Sequence, residues 1–521
     1  MSKFFFFYEK KYIILSISVI LVSFIYSLNL HQYIYDGHHH GIMYQNAIDL
    51  LNFKKPFSEI YIQYGILTTI IHSLSLFVFG NYVYVLTFVT ILFYCLTNFL
   101  IFLITKKLIN EKYAFISVLL ILANHPIPWL PWSNYIAFFF LVLSIFFFIK
   151  SERYSFFISG FFLGLCVLCR QDFFIPIFFS LFLYSIIFFF KKERKKNNLE
   201  IINIFIGFIL PLFGFLIYIV VNNLYEDWVR YLLIPNLFLE LHNTDYLELV
   251  IKFIKFFLYN SFINFINQPQ YFLVSCILLI NTIFLFLFII KKKNILIFIA
   301  LLSLTLSSVS INMELFRLYT SVSIGIITLL YVVSTSHKEI KRFSIFFLFL
   351  ASIFSFLFYP TGNYHIFKKI IKSEPSITNK SSIFRFFKWE PHHVSTINSI
   401  VDLNKILSKN CNIEYVQNLT FDNFFIINLS LNKVNLIPHI KSDIKNSKLF
   451  TFFDKGFVSK INNLIAKENI ILFITKNNDR YEEGNLVITN KYSSKIINLN
   501  KANDKPNTLR IYYPTKCNIK S

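Results

Sequence analysis

A cluster of polar residues comes directly after the first apolar segment of the chain. The sequence YDGHHHG at residues 35–41 follows the apolar segment 11–30 closely. Asp36 has a carboxylate that can take up a proton, and His38, His39 and His40 have imidazoles that can donate hydrogen bonds or bind a metal ion. Further polar side chains lie in the same loop, residues 31–65: Glu59, Gln63 and Tyr64. This loop is therefore the first candidate for a functional site.

The spacing of the three histidines limits what they can do together. Consecutive residues of a helix are about 100° apart, so His38, His39 and His40 cannot all face one ion if they are helical. Asp36, His39 and His40 would share a face, at spacings of three and four, and could bind one divalent metal ion. The pattern favours the alternative in which the histidines are hydrogen-bond donors beside the aspartate. A third alternative makes Asp36 the N-cap of a helix through residues 42–51.

The elements around this loop identify a polytopic α-helical membrane protein. Hydrophobic residues make up 55% of the 521 residues, Phe accounts for 67 of them, and charged residues supply only 15%. The apolar residues form blocks close to the roughly 20 residues that a helix needs to cross a bilayer. The predicted spans are residues 11–30, 82–105, 113–124, 134–149, 155–169, 173–190, 201–222, 271–290, 294–311, 317–335 and 343–358. Residues 66–80 are predicted to be a further span or a re-entrant helix.

Basic residues between the spans predict their orientation, because cytoplasmic loops retain Lys and Arg during insertion. With a cytoplasmic N-terminus, the segments KKLINEK, KSER, KKERKK, KKK and HKEIKR lie inside, whereas NHPIPWLPWSN and loop 31–65 lie outside. The long C-terminal segment is then also outside the cell membrane. The formal charge of +22 is explained as a topology signal, and nucleic acid is not predicted as a partner.

The composition changes at residue 359 and divides the chain into two predicted domains. Residues 1–358 form the transmembrane domain, with loop 31–65 as its catalytic region. Residues 359–521 are predicted to form a small extracytoplasmic α/β domain, because short apolar runs such as NIEYVQNL and NIILFITK alternate with helical patterns. Cys411 and Cys517 lie in this segment, where an oxidising compartment would allow a disulfide between them.

Several stretches resemble the membrane glycosyltransferases of the GT-C superfamily, especially protein mannosyltransferases, aminoarabinose transferases and the RgtA-like group. The stretch YDGHHHGIMYQNAIDLLNFKKPFSEIYIQYGILTTIIHSLSLFVFG resembles their first outside loop, in which an acidic residue and a juxtamembrane helix precede a YG and an apolar helix. PWSNYIAFFFLVL and SGFFLGLCVLCRQDFF resemble two later stretches of these enzymes. The resemblance covers residues 10–360, and the C-terminal segment resembles the outer domain of some relatives.

The resemblance implies an enzyme that transfers a sugar from a polyprenyl-phosphate donor to a glycan, lipid or protein acceptor on the extracytoplasmic side. Asp36 matches the acidic residue that acts at the reaction centre, and its carboxylate could serve as general base toward an acceptor hydroxyl. The predicted contacts to acceptor or donor sugar are His38, His39, His40, Glu59, Gln63 and Tyr64. Many members of the family have paired acidic residues or an acid in the next outside loop. This chain has three histidines after its Asp and no acid in that loop.

A phosphate leaving group needs cations on the outer side, because negative charge develops on its oxygens. Arg170 lies at an outer turn between two apolar spans, where an unpaired cation would be costly. Its alternatives are a snorkelling arginine or a partner for Asp172. Arg317 is the second candidate, and Glu314 could pair with it one helical turn earlier.

Other classes of membrane protein make different predictions. A lipid-linked oligosaccharide transporter should have internal repeats and ionisable residues in the middle of spans, and the sequence shows neither. A polysaccharide polymerase or ligase usually has a large loop late in the transmembrane domain, whereas here the polar cluster follows the first span. In a purely structural protein, Asp36 would only cap a helix.

Overall fold

The structure is a computed structural model that describes residues 2–32, 37–60, 62, 64–125, 128, 130–150, 152–189, 194–229, 269–307, 315–357, 386, 413, 415–418, 434–435, 462–476, 490–499 and 507–517. Most of the described residues are helical. The helices are α1 (Ser2–His31), α2 (Gly37–Leu51), α3 (Ile66–Phe79), α4 (Val83–Leu108), α5 (Glu111–Asn124), α6 (Ser133–Lys150), α7 (Arg153–Cys169), α8 (Phe174–Phe189), α9 (Arg194–Val221), α10 (Pro269–Ile290), α11 (Asn294–Leu306), α12 (Leu315–Thr335) and α13 (Lys338–Leu357).

A helix lies at each predicted span, although α11 ends at Leu306, earlier than predicted. Five stretches of the described residues are long and apolar enough to cross a membrane. They are Lys11–His31, Val83–Leu108, Ser133–Lys150, Leu199–Val221 and Leu318–Thr335. Shorter apolar helices of 10–17 residues lie between them in the chain. The sequence prediction of a helical membrane protein is confirmed.

The helices meet at two ends of the bundle that differ in chemistry. At the first, the basic end, Lys106 of α4 pairs with Glu111 of α5 at 2.9 Å. Lys341 near the start of α13 lies 5.9 Å from the ring centre of Tyr113 in α5. α6 runs back from the α5–α6 loop at the opposite end, and Phe148 in its last turn stacks on Phe298 near the start of α11. The end of α6 and the short connection from α10 to α11 therefore lie here too. Among the described residues, the cations of this end include Lys106, Lys107, Lys112, Lys150, Lys291, Lys292, Lys293, Lys338, Lys341 and Arg342.

The opposite end, the polar end, joins the end of α1 to the start of α4 and to the α5–α6 loop. The Tyr84 hydroxyl donates a hydrogen bond to the carbonyl oxygen of Leu28 at 2.5 Å. Nε2 of His31, the last residue of α1, donates to the carbonyl oxygen of Pro128. The ring of Phe386, which follows the last helix in sequence, lies 5.7 Å from the ring of Tyr84. The chain after α13 therefore contacts the bundle at the polar end.

Helix α3 has both of its ends at the polar end. At its N-terminal end, the Thr68 hydroxyl donates to the carbonyl oxygen of Cys169, the last residue of α7, at 3.0 Å. At its C-terminal end, the ring of Phe79 lies 5.5 Å from Phe88 in the second turn of α4. Its 14 residues span only about 21 Å, less than the roughly 30 Å of a bilayer core. Of the two alternatives for residues 66–80, the geometry favours a helix that does not cross.

Glycines allow α7 and α9 to pack with their backbones in contact. A Cβ at Gly160 of α7 would lie 2.0 Å from the carbonyl oxygen of Ile204 in α9. A Cβ at Gly207 of α9 would lie 2.1 Å from the carbonyl oxygen of Phe157 in α7. Small residues at such contacts are a common way to pack membrane helices, because dispersion contacts replace the missing hydrophobic effect. This contact fixes the position of α7, whose C-terminal end contributes to the candidate site.

The C-terminal region contains a small mixed sheet. Its strands are β1 (Tyr415–Asn418), β2 (Val434–Asn435), β3 (Ile470–Lys476), β4 (Tyr492–Leu499) and β5 (Asn507–Pro514). Their spatial order is β2-β1-β3-β5-β4. β1 pairs parallel with β2 and β3, and β5 pairs antiparallel with β3 and β4. The apolar runs that contain β1 and β3 were predicted as a short run and a strand, whereas β4 and β5 were not predicted.

The cysteines fall into two groups. Cys95, Cys166 and Cys169 are buried and free, so the CxxC of α7 forms no disulfide. Cys517, after β5, is disulfide-bonded, and its partner side chain lies outside the described residues. The predicted partner, Cys411, also lies outside them.

Candidate active site

The predicted catalytic residue stands immediately before helix α2. The described part of α2 begins at Gly37, the residue that follows Asp36 in the sequence. Asp36 itself, Gln63 and the side chains of His38 and Arg317 lie outside the described residues. Their predicted roles stay predictions.

His39 and His40 point to different partners, as consecutive helical residues must. The ring of His39 packs edge-on against Trp132 of the α5–α6 loop, with 4.9 Å between ring centres. His40 is fully buried, and its Nε2 lies 3.1 Å from the hydroxyl of Thr87 in α4. In the described part of the chain, no group of three His, Cys, Asp or Glu side chains could hold a metal ion. His40 therefore anchors α2 to α4, whereas His39 faces the α5–α6 loop.

The segment after α2 is held by its own hydrogen bonds. Glu59 is exposed, and its carboxylate accepts a hydrogen bond from the backbone N–H of Lys55 at 2.6 Å. Asp49 accepts from the Lys54 ammonium at 2.7 Å and from the Gln45 amide at 2.8 Å. Burial raises the pKa of Asp49, although Lys54 and Gln45 oppose the shift. Glu59 thus closes a tight turn, and this geometry gives it a structural role in the loop.

The YG and CRQD sequences contact each other at the end of α7. A Cβ at Gly65 would lie 2.3 Å from the carbonyl oxygen of Leu168, so only glycine allows the chain to approach α7 here. The backbone N–H of Gln171 donates to the carbonyl oxygen of Tyr64 at 3.3 Å. The ring centre of Tyr64 lies 5.3 Å from the guanidinium carbon of Arg170. The structure thereby brings together two of the predicted site residues, Tyr64 and Arg170.

Arg170 forms a bidentate ion pair with Asp172. Its Nε donates to Oδ1 at 2.6 Å and its Nη2 to Oδ2 at 2.5 Å. The Arg170 side chain is only 5% exposed, whereas that of Asp172 is 35% exposed. Burial alone would lower the pKa of Arg170, but Asp172 outweighs it and the pKa is raised, so the guanidinium stays charged. The alternative of a pairing with Asp172, which the sequence left open, is the one observed.

A cluster of aromatic side chains at the polar end was not predicted as part of the site. His125 directly follows the last residue of α5, and its Nε2 lies 2.8 Å from the hydroxyl of Tyr135 in α6. Its carbonyl oxygen accepts a hydrogen bond from Tyr94 of α4, and its ring stacks on Tyr319 of α12 at 4.3 Å. All four side chains are at most 5% exposed. A histidine directly after an apolar span, in NHPIPW, was the signal that could have identified this cluster.

The fold of the chain is similar to that of two membrane proteins of known structure. ArnT from Cupriavidus metallidurans, in a structure with bound undecaprenyl phosphate, superposes with a TM-score of 0.53 at 10% identity, covering 96% of this chain and 98% of ArnT. The apo structure of the same protein gives 0.52 at 11% identity. The Archaeoglobus fulgidus oligosaccharyltransferase, in a complex with zinc and sulfate, gives 0.50 at 13% identity, covering 87% of this chain and 67% of that protein. Both proteins are GT-C glycosyltransferases. No protein-family model and no curated protein matches the sequence.

Proposed function

We propose that this protein is an integral membrane glycosyltransferase that uses a polyprenyl-phosphate-linked sugar as donor. The observation that carries the proposal is the likeness to ArnT over nearly the whole of both chains, in a structure that contains undecaprenyl phosphate. A polyprenyl phosphate is anchored in the bilayer, so its phosphate is reached by groups at the end of a helical bundle. The polar end has two arginines that could do so. Arg170 lies against the ring of Tyr64, and Arg317 belongs to the first turn of α12.

The proposed reaction takes place on the extracytoplasmic side. Two observations support this side for the polar end. The cations that normally stay in cytoplasmic loops lie at the opposite, basic end of the bundle. Cys517, in the region that follows α13, is disulfide-bonded, as is common in oxidising compartments. The contact of Phe386 with Tyr84 joins that region to the polar end.

In the proposed mechanism, the carboxylate of Asp36 accepts the proton of an acceptor hydroxyl as its oxygen attacks the anomeric carbon of the sugar. The bond between that carbon and the phosphate oxygen breaks, and polyprenyl phosphate leaves with the bonding electron pair. A cation near this oxygen stabilises the developing charge. Arg317 is the better candidate for that contact, because Asp172 already neutralises Arg170 with two hydrogen bonds. His39 lies beside Trp132, where the two rings could contact a sugar.

The test compares purified wild-type protein with Asp36→Asn for release of polyprenyl phosphate from a panel of polyprenyl-phosphate sugars, with membrane extract as the source of acceptors. Asn also caps helices well, so a purely structural Asp36 would tolerate the change. We expect one donor to be turned over by the wild type and turnover to fall at least about a hundredfold in the variant, the range of a lost general base.

Each alternative outcome has a distinct meaning. Equal turnover by both proteins would assign Asp36 to helix capping and refute its role as base. Absence of turnover with every donor, together with absence of polyprenyl phosphate binding, would refute the glycosyltransferase proposal. The folded state of Asp36→Asn is checked by its thermal unfolding in detergent, which should match that of the wild type.

A further inference from the structure

The aromatic cluster around His125 joins four helices that are distant in sequence. Tyr94, His125, Tyr135 and Tyr319 belong to α4, the end of α5, α6 and α12, respectively. The stack of His125 on Tyr319 has an interplanar angle of 27°, and Tyr319 also meets the ring of Phe138 edge-on at 5.2 Å. Buried aromatic pairs stabilise a fold beyond the effect of the area that they bury. The cluster therefore holds the start of α12 firmly against the end of α5.

The same residues are connected to both halves of the candidate site. On one side, Tyr319 lies two residues after Arg317 in the first turn of α12. On the other side, His125 begins the loop that includes Pro128 and Trp132. This loop is fixed to α1 by the hydrogen bond of His31 to Pro128 and to α2 by the contact of Trp132 with His39.

His125 itself is unsuited to acid–base chemistry. It is 2% exposed, and burial lowers its pKa to about 3, so its imidazole is neutral at physiological pH. Its contacts are to protein groups in α4, α6 and α12. His125 can instead fix the distances between helices, because one face of its ring stacks on Tyr319 of α12 and its Nε2 is hydrogen-bonded to Tyr135 of α6.

We propose that His125 and Tyr319 are positioning residues, which set the first turn of α12, with Arg317, at a fixed distance from the α5–α6 loop and the start of α2. The inference rests on the proposed function and adds to it the part of the chain that aligns donor phosphate and acceptor. A misplacement of about 1 Å between reacting groups can reduce a rate about a hundredfold. Loss of the stack is therefore expected to lower kcat, while KM for the donor changes much less.

The test uses Tyr319→Leu, which removes the stacked ring, and Tyr319→Phe, which retains it. We expect kcat for polyprenyl phosphate release to fall about thirty- to a hundredfold in Tyr319→Leu. The kcat of Tyr319→Phe should stay within about threefold of the wild-type value, because this variant keeps the ring that stacks on His125. Phe298→Leu is the matched control, since it breaks a similar stack with Phe148, 4.4 Å between ring centres, near the basic end. It should affect thermal unfolding but not kcat of the folded protein.

A double-mutant cycle with Arg317→Met decides whether Tyr319 acts through Arg317. The effects of two substitutions do not add when one residue acts through the other. If the proposal holds, Tyr319→Leu lowers kcat less than about threefold in the Arg317→Met background. Full additivity of the two losses, or an equal loss in Phe298→Leu, would overturn it. A wild-type protein that neither binds nor turns over any polyprenyl phosphate sugar would instead refute the proposed function, and with it this inference.

Discussion

The two side chains of the Arg170–Asp172 ion pair differ in burial, so removing one should destabilise the protein more than removing the other. The Arg170 side chain is 5% exposed, whereas Asp172 is 35% exposed. Removal of the partner of a buried charge costs about 3–5 kcal/mol, because the remaining charge is left uncompensated in a medium of low dielectric. A partly exposed charge loses at most about 1 kcal/mol, because water replaces its partner. The two single substitutions should therefore have unequal effects.

Asp172→Asn leaves the buried guanidinium without a carboxylate and should lower the free energy of unfolding by about 3 kcal/mol. Arg170→Met leaves a carboxylate that water can reach, and the Met side chain still packs against Tyr64 and Phe173. It also loses the cation–π contact with Tyr64, so its cost should be about 1–2 kcal/mol. The double substitution removes both charges and should return to within about 1 kcal/mol of the wild type.

The assay is unfolding of the purified protein in detergent by added SDS, followed by intrinsic Trp fluorescence. An Arg170→Met variant as unstable as Asp172→Asn, or a double variant less stable than either single one, would refute the asymmetry of burial. Turnover by the folded double variant then separates two roles of Arg170. A loss of polyprenyl phosphate release would assign its charge to the donor phosphate, and retained release would assign it to the α7–α8 turn alone.

The remaining predictions concern packing, topology and pH. Gly160→Ala should lower the free energy of unfolding by about 1–3 kcal/mol, because its Cβ would lie 2.0 Å from a backbone oxygen. The control is Gly214→Ala, whose Cβ meets nothing within 4 Å and which should not lower the free energy of unfolding. A cysteine at Ser58 should react with an impermeant maleimide in intact cells, and one at Lys292 only after permeabilisation. The reverse pattern would contradict the proposed orientation. The pKa of His125 is about 3 in the folded protein and about 6.5 in the unfolded chain. The unfolded chain therefore binds a proton first, so His125 lowers the free energy of unfolding as the pH falls from about 6.5 to about 3. His125→Gln should flatten that part of the stability profile.

The spans were predictable from the sequence because hydropathy and length act locally. Each block of apolar residues must form a helix to satisfy its backbone in the bilayer, whatever its neighbours are. Helix α3 was ambiguous for the same reason, because a largely apolar stretch of 14 residues fits more than one placement. Its placement depends on the contact of Thr68 with Cys169, 101 positions away in the chain, which no local pattern specifies.

The candidate site was predictable in its residue types but not in its partnerships. The sequence identified Tyr64 and Arg170 separately, and Gly65 explains how they meet, since only its missing Cβ allows the close approach to α7. The pairing of Arg170 was left open because both water and Asp172 could satisfy a guanidinium at a turn. The position of His125 directly after an apolar span was a sequence signal, but its stack on Tyr319 joins two distant helices, and no local pattern specifies that partner.

The orientation of α3 also bears on the depth of the proposed reaction. Its exposed side chains are apolar, among them Leu74 at 58% and Phe77 at 76%, whereas its buried face includes Thr68, Thr69 and Ser73. A helix with an apolar outer face that does not cross the bundle is expected to lie at the border of the bilayer. Because Gly65, at the start of α3, contacts the end of α7, we expect the Arg170 turn at this same border. That is the depth at which the phosphate of a membrane-anchored polyprenyl chain meets water, so the placement of α3 supports a lipid-linked rather than a soluble sugar donor.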